Sequence, residues 1–301
     1  MAYSPGMLPL KTSGVLKGGT ELAANIIRGE TIAQELHDNL KHEVAKLKED
    51  RGITPCMAII VLKSPVSRIH VARLKERTSQ QLGIKCQIFT LPETTTEEEI
   101  NYLTERLNTA KEVHGINIHP LTPHLNHTLI SQMVDPRKDV EGLNFLNMGA
   151  FLSGDFRMVP FVARGIMKLI EHTGEDLEGK RAVVVGRSQL VGEPVSFLLL
   201  EQNATVSVCH SMTPDLSTFT KKADVLVVSA GQPRIIKGNM VKEGAIVIDV
   251  GVNQVGTRLI GDVDYDTVKD KASWITPVPG GVGPVTIAML LDNLVKAAKY
   301  S

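Results

Sequence analysis

Neither sign of charge is in excess in this chain: 33 Lys and Arg balance 33 Asp and Glu over 301 residues. That balance argues against nucleic acid or an anionic membrane as the main partner. Long apolar runs are missing too, since none approaches the roughly 18 residues that span a bilayer. Cysteine is scarce. Cys56, Cys86 and Cys209 lie far apart, each in or beside a predicted strand, which excludes a disulfide framework and leaves no metal-ligand spacing. They read as reduced core thiols of an intracellular protein, cytoplasmic in the first instance, with the mitochondrial matrix as the alternative. Arginine is absent from residues 1–25. A mitochondrial presequence is Arg-rich and amphipathic, so this segment reads instead as a disordered leader. The remaining length suits two domains at about 150 residues each.

What is present is alternation of helix and strand. Apolar residues Ile32, Leu36, Leu40, Val44 and Leu47 recur at helical spacing, predicting a helix over residues 30–48. Strands follow over 57–62, 85–91 and 113–118, with helices over 67–82, stopped by Gly83, and over 96–108, started by a Thr-Glu-Glu-Glu capping signal. Beyond residue 180 the strands are β-branched runs ending at Val185, then 205–210, 224–230, 245–252 and 273–278. They do not alternate polar with apolar, which predicts strands covered on both faces and hence a parallel sheet. The fold class is α/β, in two domains: an N-terminal α/β catalytic domain and a Rossmann-like nucleotide domain. The chain is expected to cross between them near residues 160–164. The apolar helix over 284–299 is expected to pack back on the first domain, leaving a cleft suited to a small ligand.

The first nucleotide-domain strand meets Gly186, Arg187 and Ser188, and Gly192 then opens a helix. Such a strand–turn–helix can seat a phosphate at the helix amino end. The turn departs from G-x-G-x-x-G, because five residues separate Gly186 from Gly192. NAD-selective folds carry an acid at the end of the second strand to hold the ribose hydroxyls. Here that position holds Cys209, His210 and Ser211, with no acid before Asp215. An uncharged strand end beside Arg187 suits a 2′-phosphate, so the expected cofactor is NADP.

Several segments together carry a resemblance. Gly-Arg-Ser-x-x-Val-Gly at 186–192, Cys-His-Ser at 209–211, Ala-Gly-Gln-Pro at 230–233 and Thr-Pro-Val-Pro-Gly-Gly-Val-Gly-Pro at 276–284 are joined by Val-His-Gly at 113–115 and Lys-Asp-Val-Glu-Gly-Leu at 138–143. The chain resembles, from about Ile26 onward, the bifunctional methylenetetrahydrofolate dehydrogenase/methenyltetrahydrofolate cyclohydrolase family. The resemblance implies tetrahydrofolate one-carbon derivatives as substrates, NADP as cofactor, no metal and a homodimer. It implies a folate domain over 26–162 plus 288–301 and an NADP domain over 163–287. Gly186, Arg187, Ser188, Gly192, Ser211, Gly231 and Val252 would contact the cofactor. Ile118 and the run Pro279, Gly280, Gly281, Val282 and Gly283 would contact the substrate.

The folate half departs from the family pattern. The family's hydrolytic lysine lies four residues beyond a folate-stacking tyrosine, is positioned by a glutamine, and is joined by a pterin-binding aspartate. The tyrosine position reads as His70, the glutamine as His119 and the aspartate as Glu141. The lysine position reads as Leu74 when aligned forward from Ser67 and as Lys75 when aligned back from Gly83, with Arg73 a third choice. One extra residue turns a helix by about 100°, so Lys75 is either catalytic, together with His119, or a solvated side chain in a charged stretch. The family's Pro-Cys-Thr-Pro is Pro160-Phe161-Val162-Ala163 here. Two readings remain open: an enzyme whose hydrolytic step is weakened more than its dehydrogenation, and an NADP- and folate-binding paralogue without turnover.

Overall fold

The structure, a computed structural model, describes residues 24–63, 66–119 and 124–301, without the side chains of residues 66–68. The leader expected over residues 1–25 lies almost wholly outside the described residues. Its last two residues do not, and β1 (Asn25–Ile26) leads into α1 (Gly29–Arg51). The predicted apolar stripe of α1 is buried at Ile32, Leu40, Val44 and Leu47. Gly52 ends the helix in the left-handed region, φ 67°, its N–H donating to the Lys48 carbonyl. Then come β2 (Cys56–Leu62), α2 (Val66–Gln81), β3 (Lys85–Leu91), α3 (Glu97–Thr109) and β4 (Gly115–Ile118). The expected capping box holds at α3, with Thr96 and Glu99 each accepting the other's backbone N–H. These strands form a parallel sheet in the order β3-β2-β4.

Three helices lead across to the second half: α4 (His127–Ser131), α5 (Phe145–Leu152) and α6 (Phe161–Glu171). The second half runs β5 (Arg181–Val185), α7 (Gly192–Glu201), β6 (Thr205–Cys209), α8 (Leu216–Thr220), β7 (Val225–Val228) and β8 (Ile246–Asp249). A hairpin of β9 (Asn253–Val255) and β10 (Arg258–Ile260) follows, then α9 (Tyr265–Val268), β11 (Trp274–Ile275) and α10 (Val282–Tyr300). The sheet is six-stranded and parallel throughout, ordered β1-β11-β8-β7-β5-β6. Strand order reverses between β5 and β7, the switch point at which doubly wound sheets bind ligands.

Two expectations need correction. Residues 25–26 were assigned to the leader and the first domain, yet β1 pairs with β11 and extends the second sheet. The strand over 205–210 was expected to be covered on both faces, but β6 is an edge strand with partly exposed side chains.

The two sheets share a core. Ile32 of α1, Ile166 of α6, Val184 of β5 and Leu294 of α10 belong to one buried apolar cluster. The returning helix α10 lies against both α1 and α6. Close packing at its start requires glycine: a Cβ on Gly29 would sit 1.7 Å from the Gly281 carbonyl oxygen. Midway along α10, fully buried Asn293 donates to the carbonyls of Val140 (2.9 Å) and Val159 (3.0 Å) and accepts from Arg164 Nη1 (2.8 Å). Arg164 also pairs with Asp292 at 2.6 Å. Replacing Asn293 with Leu leaves two buried carbonyls without their donor, and each such loss costs about 1–3 kcal/mol. Urea unfolding should show Asn293→Leu destabilised by roughly 2 kcal/mol or more, and unchanged stability would refute this role for the amide.

Candidate active site

Helix α2 buries a polar side chain in its packed face. Ala72, Lys75, Thr78, Ser79 and Leu82 point inward, while Arg73, Leu74 and Arg77 are exposed. Lys75 is 6% exposed against 45% for Leu74. Packing on the sheet thus turns Lys75 inward and leaves Leu74 and Arg73 exposed, so Lys75 is not a solvated side chain. Its ammonium donates to Asn117 Oδ1 at 2.7 Å and lies 5.9 Å from the centre of the Phe161 ring. Asn117 donates through Nδ2 to Glu141 Oε1, which also accepts the Ile118 N–H at 3.0 Å. Lys75, Asn117 and Glu141 therefore form one buried chain of hydrogen bonds.

Burial pushes the Lys75 amine down from its ordinary range to about 8, opposed by the charge of Glu141. Burial pushes the Glu141 carboxyl up to about 8, opposed by Lys75. Burial thus draws the two groups toward one another, the amine down and the carboxyl up. Glu141 is fixed by the turn that carries it. Asp139 accepts from the N–H groups of Glu141 (3.2 Å), Gly142 (3.0 Å) and Asn144 (2.7 Å) and from Asn147 Nδ2 (2.9 Å). Gly142 is required there, with φ 74° and space for a Cβ only 2.7 Å from the Pro160 nitrogen.

The other folate-side residues fall less neatly. His70 is exposed, five residues before Lys75 and so about 140° around the helix. The residue one turn before Lys75, on its side of α2, is Val71, 37% exposed. His70 and Lys75 thus do not share one side of α2. Ile118 turns its side chain into the apolar cluster with Leu107 and Ile130 and is 3% exposed. Only its backbone serves the site, through the N–H to Glu141 and a 3.4 Å approach of His127 Nε2 to its carbonyl. His119 is 8% exposed at the end of β4, its N–H donating to the Ile60 carbonyl at 2.9 Å. Oε1 of Glu141 is turned inward to Asn117 and the Ile118 N–H.

At the switch point of the second sheet, Gly186 (φ 121°) approaches the β7 end so closely that a Cβ would lie 2.1 Å from the Ser229 carbonyl oxygen. Gly192 is buried against Gly186 in the same way, at 2.2 Å. Around this packed turn Arg187, Ser188, Ser211 and Gly231 are exposed, and Val252 is 65% exposed. Gly231 and Gly283 have open space where a Cβ would stand. A guanidinium and two hydroxyls at the strand ends, with no carboxylate from Cys209 to Thr213, fit a phosphorylated dinucleotide. Thr128 of α4 donates to Gln189 of this turn at 3.0 Å, so the first domain meets the nucleotide turn directly. The run from Pro279 to Gly283 leads from the loop after β11 into the first turn of α10, and Gly29 donates to the Gly280 carbonyl at 2.9 Å.

Two buried carboxylates shape the loops beside this turn. Asp262 accepts from the N–H groups of Ala230 (2.6 Å) and Gly231 (2.8 Å) and from Asn253 Nδ2 (2.7 Å). Asp249 accepts from Gly251 (3.0 Å), Asp262 (3.0 Å) and Val263 (2.9 Å). Sequence reasoning missed Asn117, Asp139, Asp249 and Asp262. A trace existed for Asn117 and Asp249, each a polar residue within an apolar strand run. Among the described residues no cluster of His, Cys, Asp and Glu could hold a metal, and no helix is long and apolar enough to cross a membrane.

Burial raises the Asp249 carboxyl to about 7. The folded state then keeps a proton that the unfolded chain releases near pH 4. Stability contributed by this group is present in acid and is lost as pH rises from about 4 to 7, by up to roughly 1.4 kcal/mol per pH unit. Denaturation across that range should show a shallower decline for Asp249→Asn, and an unchanged slope would refute the assignment.

Residues 27–141 match the model of the tetrahydrofolate dehydrogenase/cyclohydrolase catalytic domain, and residues 160–301 that of the corresponding NAD(P)-binding domain. The bifunctional protein FolD of Halothermothrix orenii is 45% identical over 279 residues, covering 91% of this chain and 98% of its own length. The crystal structure of the bifunctional enzyme FolD, a methylenetetrahydrofolate dehydrogenase/cyclohydrolase from Campylobacter jejuni, superposes with a TM-score of 0.88 at 40% identity, over 92% of this chain and 99% of that one. The Trypanosoma brucei methylenetetrahydrofolate dehydrogenase-cyclohydrolase, solved with NADP cofactor and an inhibitor, gives a TM-score of 0.88 at 35% identity, over 92% and 98%.

Proposed function

The chain belongs to the tetrahydrofolate dehydrogenase/cyclohydrolase family, and from that premise we propose that it oxidises 5,10-methylenetetrahydrofolate and hydrolyses the methenyl product to 10-formyltetrahydrofolate. The observation that carries the hydrolytic step is the buried Lys75, hydrogen-bonded to Asn117 beside Glu141. Bound NADP supplies the hydride acceptor. Oxidation of the one-carbon bridge is assisted by the two flanking nitrogen lone pairs, so the chain's task there is alignment. Pro279–Gly283, leading into the first turn of α10, would line the junction of substrate and cofactor, and Val71 would contact the folate.

Hydrolysis makes a second demand. Water attacking the methenyl cation must lose a proton, and a group titrating near neutrality serves best. Lys75 meets that condition, and Phe161 would give the reacting carbon an apolar wall on the lysine's side. The extra residue in α2 does not displace Lys75, so the expected weakening of hydrolysis loses its main support. The non-catalytic paralogue has no observation in its favour. The folate half would comprise α1 to α5 with the returning α10, and the NADP half β5 to β11. A homodimer would use the β9–β10 hairpin, whose Val255 and Leu259 are 49% and 45% exposed.

One assay follows both steps, by the absorbance of the methenyl intermediate and of NADPH. Lys75→Met should lower hydrolysis by about 10²-fold or more while reducing dehydrogenation far less. A Lys75→Met protein that hydrolyses at the original rate overturns the mechanism. Cofactor choice is tested by titration. Arg–phosphate contacts are charge-assisted and contribute about 1.5–3 kcal/mol, so NADP should bind about tenfold or more tighter than NAD, and Arg187→Ala should erase the difference. Equal affinities in the unmodified chain would count against NADP.

A further inference from the structure

We infer that Asn117 is a positioning residue for the hydrolytic step: its side-chain amide spaces Lys75 from Glu141 and leaves the lysine nitrogen available to the attacking water. The inference rests on the dehydrogenase/cyclohydrolase reading and deepens it. β4 is otherwise apolar, Gly-Ile-Asn-Ile, and Asn117 within it is 1% exposed. Its alternate neighbours Ile116 and Ile118 fill the cluster behind the sheet. Gly115, on the same face as Asn117, lies so close to α10 and the Glu141 loop that a Cβ would meet Leu294 at 2.6 Å and Val140 at 2.3 Å. An amide buried in such a place is costly unless both its ends are bonded.

Both ends are bonded, one to the amine and one to the carboxyl. Oδ1 accepts from Lys75 and Nδ2 donates to Glu141. The reverse orientation would set an NH2 group against the ammonium, so the partners fix which way the amide points. Without the amide, amine and carboxyl in a water-poor site would close into direct contact. A lysine clasped by that carboxyl is turned away from the attacking water. With the amide between them, Asn117 takes one Lys75 N–H and leaves the rest of the nitrogen to accept a proton from water.

The test is Asn117→Leu in the whole chain, with both steps assayed together. Hydrolysis should fall about tenfold or more relative to dehydrogenation, with the loss in kcat and not in KM. A paired variant, Asn117→Gln with Glu141→Asp, moves one methylene from carboxylate to amide and should recover part of the ratio. An unchanged ratio in the folded Leu variant overturns the inference, as does a proportional fall in both steps, which would mean a purely structural role. If Asn117→Leu does not fold, the paired variant decides, and its failure to hydrolyse while still dehydrogenating counts against the spacing. If the unmodified chain turns over neither substrate, the enzymatic reading falls separately. The link itself is then judged by thermal unfolding: Asn117→Leu and Lys75→Met together should lower Tm by less than the sum of the single effects, and strict additivity overturns it.

Discussion

Asn293, buried in the middle of α10, reaches the carbonyls of Val140 and Val159 and takes a hydrogen bond from Arg164. These contacts bind the last helix to two separate stretches of the first half. One of them, Val140, is the residue before Glu141. The other, Val159, precedes the helix that crosses to the second sheet. Because an unpaired buried amide or carbonyl is expensive, α10 has little freedom to rotate or slide. The position of α10 against the Glu141 loop and against α6 follows from that constraint.

The same economy of polar groups governs the first half of the site. Asp139 gathers three backbone N–H groups and one side-chain amide, and so fixes the turn that delivers Glu141. Glu141 reaches Asn117, and Asn117 reaches Lys75. Each member would be destabilising alone at this depth, and together they satisfy one another. Burial moves the amine and the carboxyl toward the same range from opposite sides.

On the cofactor side, backbone proximity takes over from side-chain pairing. Gly186 and Gly192 bring the turn after β5 against the end of β7, and Asp262 anchors the next turn through the N–H groups of Ala230 and Gly231. The exposed guanidinium and hydroxyls then stand on a rigid floor. The two halves differ in kind: one holds a titrating pair out of water, the other holds open a surface for a ligand.

The sequence by itself determined the α/β alternation, the parallel character of the second sheet, the capped start of α3, the glycine turn after β5 and the missing acid after β6. All of these are local, because periodicity, turn chemistry and capping act within a few residues. Tertiary structure decided the rest. Whether Lys75, Leu74 or Arg73 turned inward depended on how α2 packs on its sheet, since one inserted residue shifts every side chain by about 100°. The role of Asn117 needed partners 42 and 24 residues away. The addition of β1 to the second sheet joined residues 25–26 to residues 274–275, a pairing that two residues of strand cannot announce. Contacts distant in sequence leave no periodic trace, so the fold was legible and the chemistry of its polar centre was not.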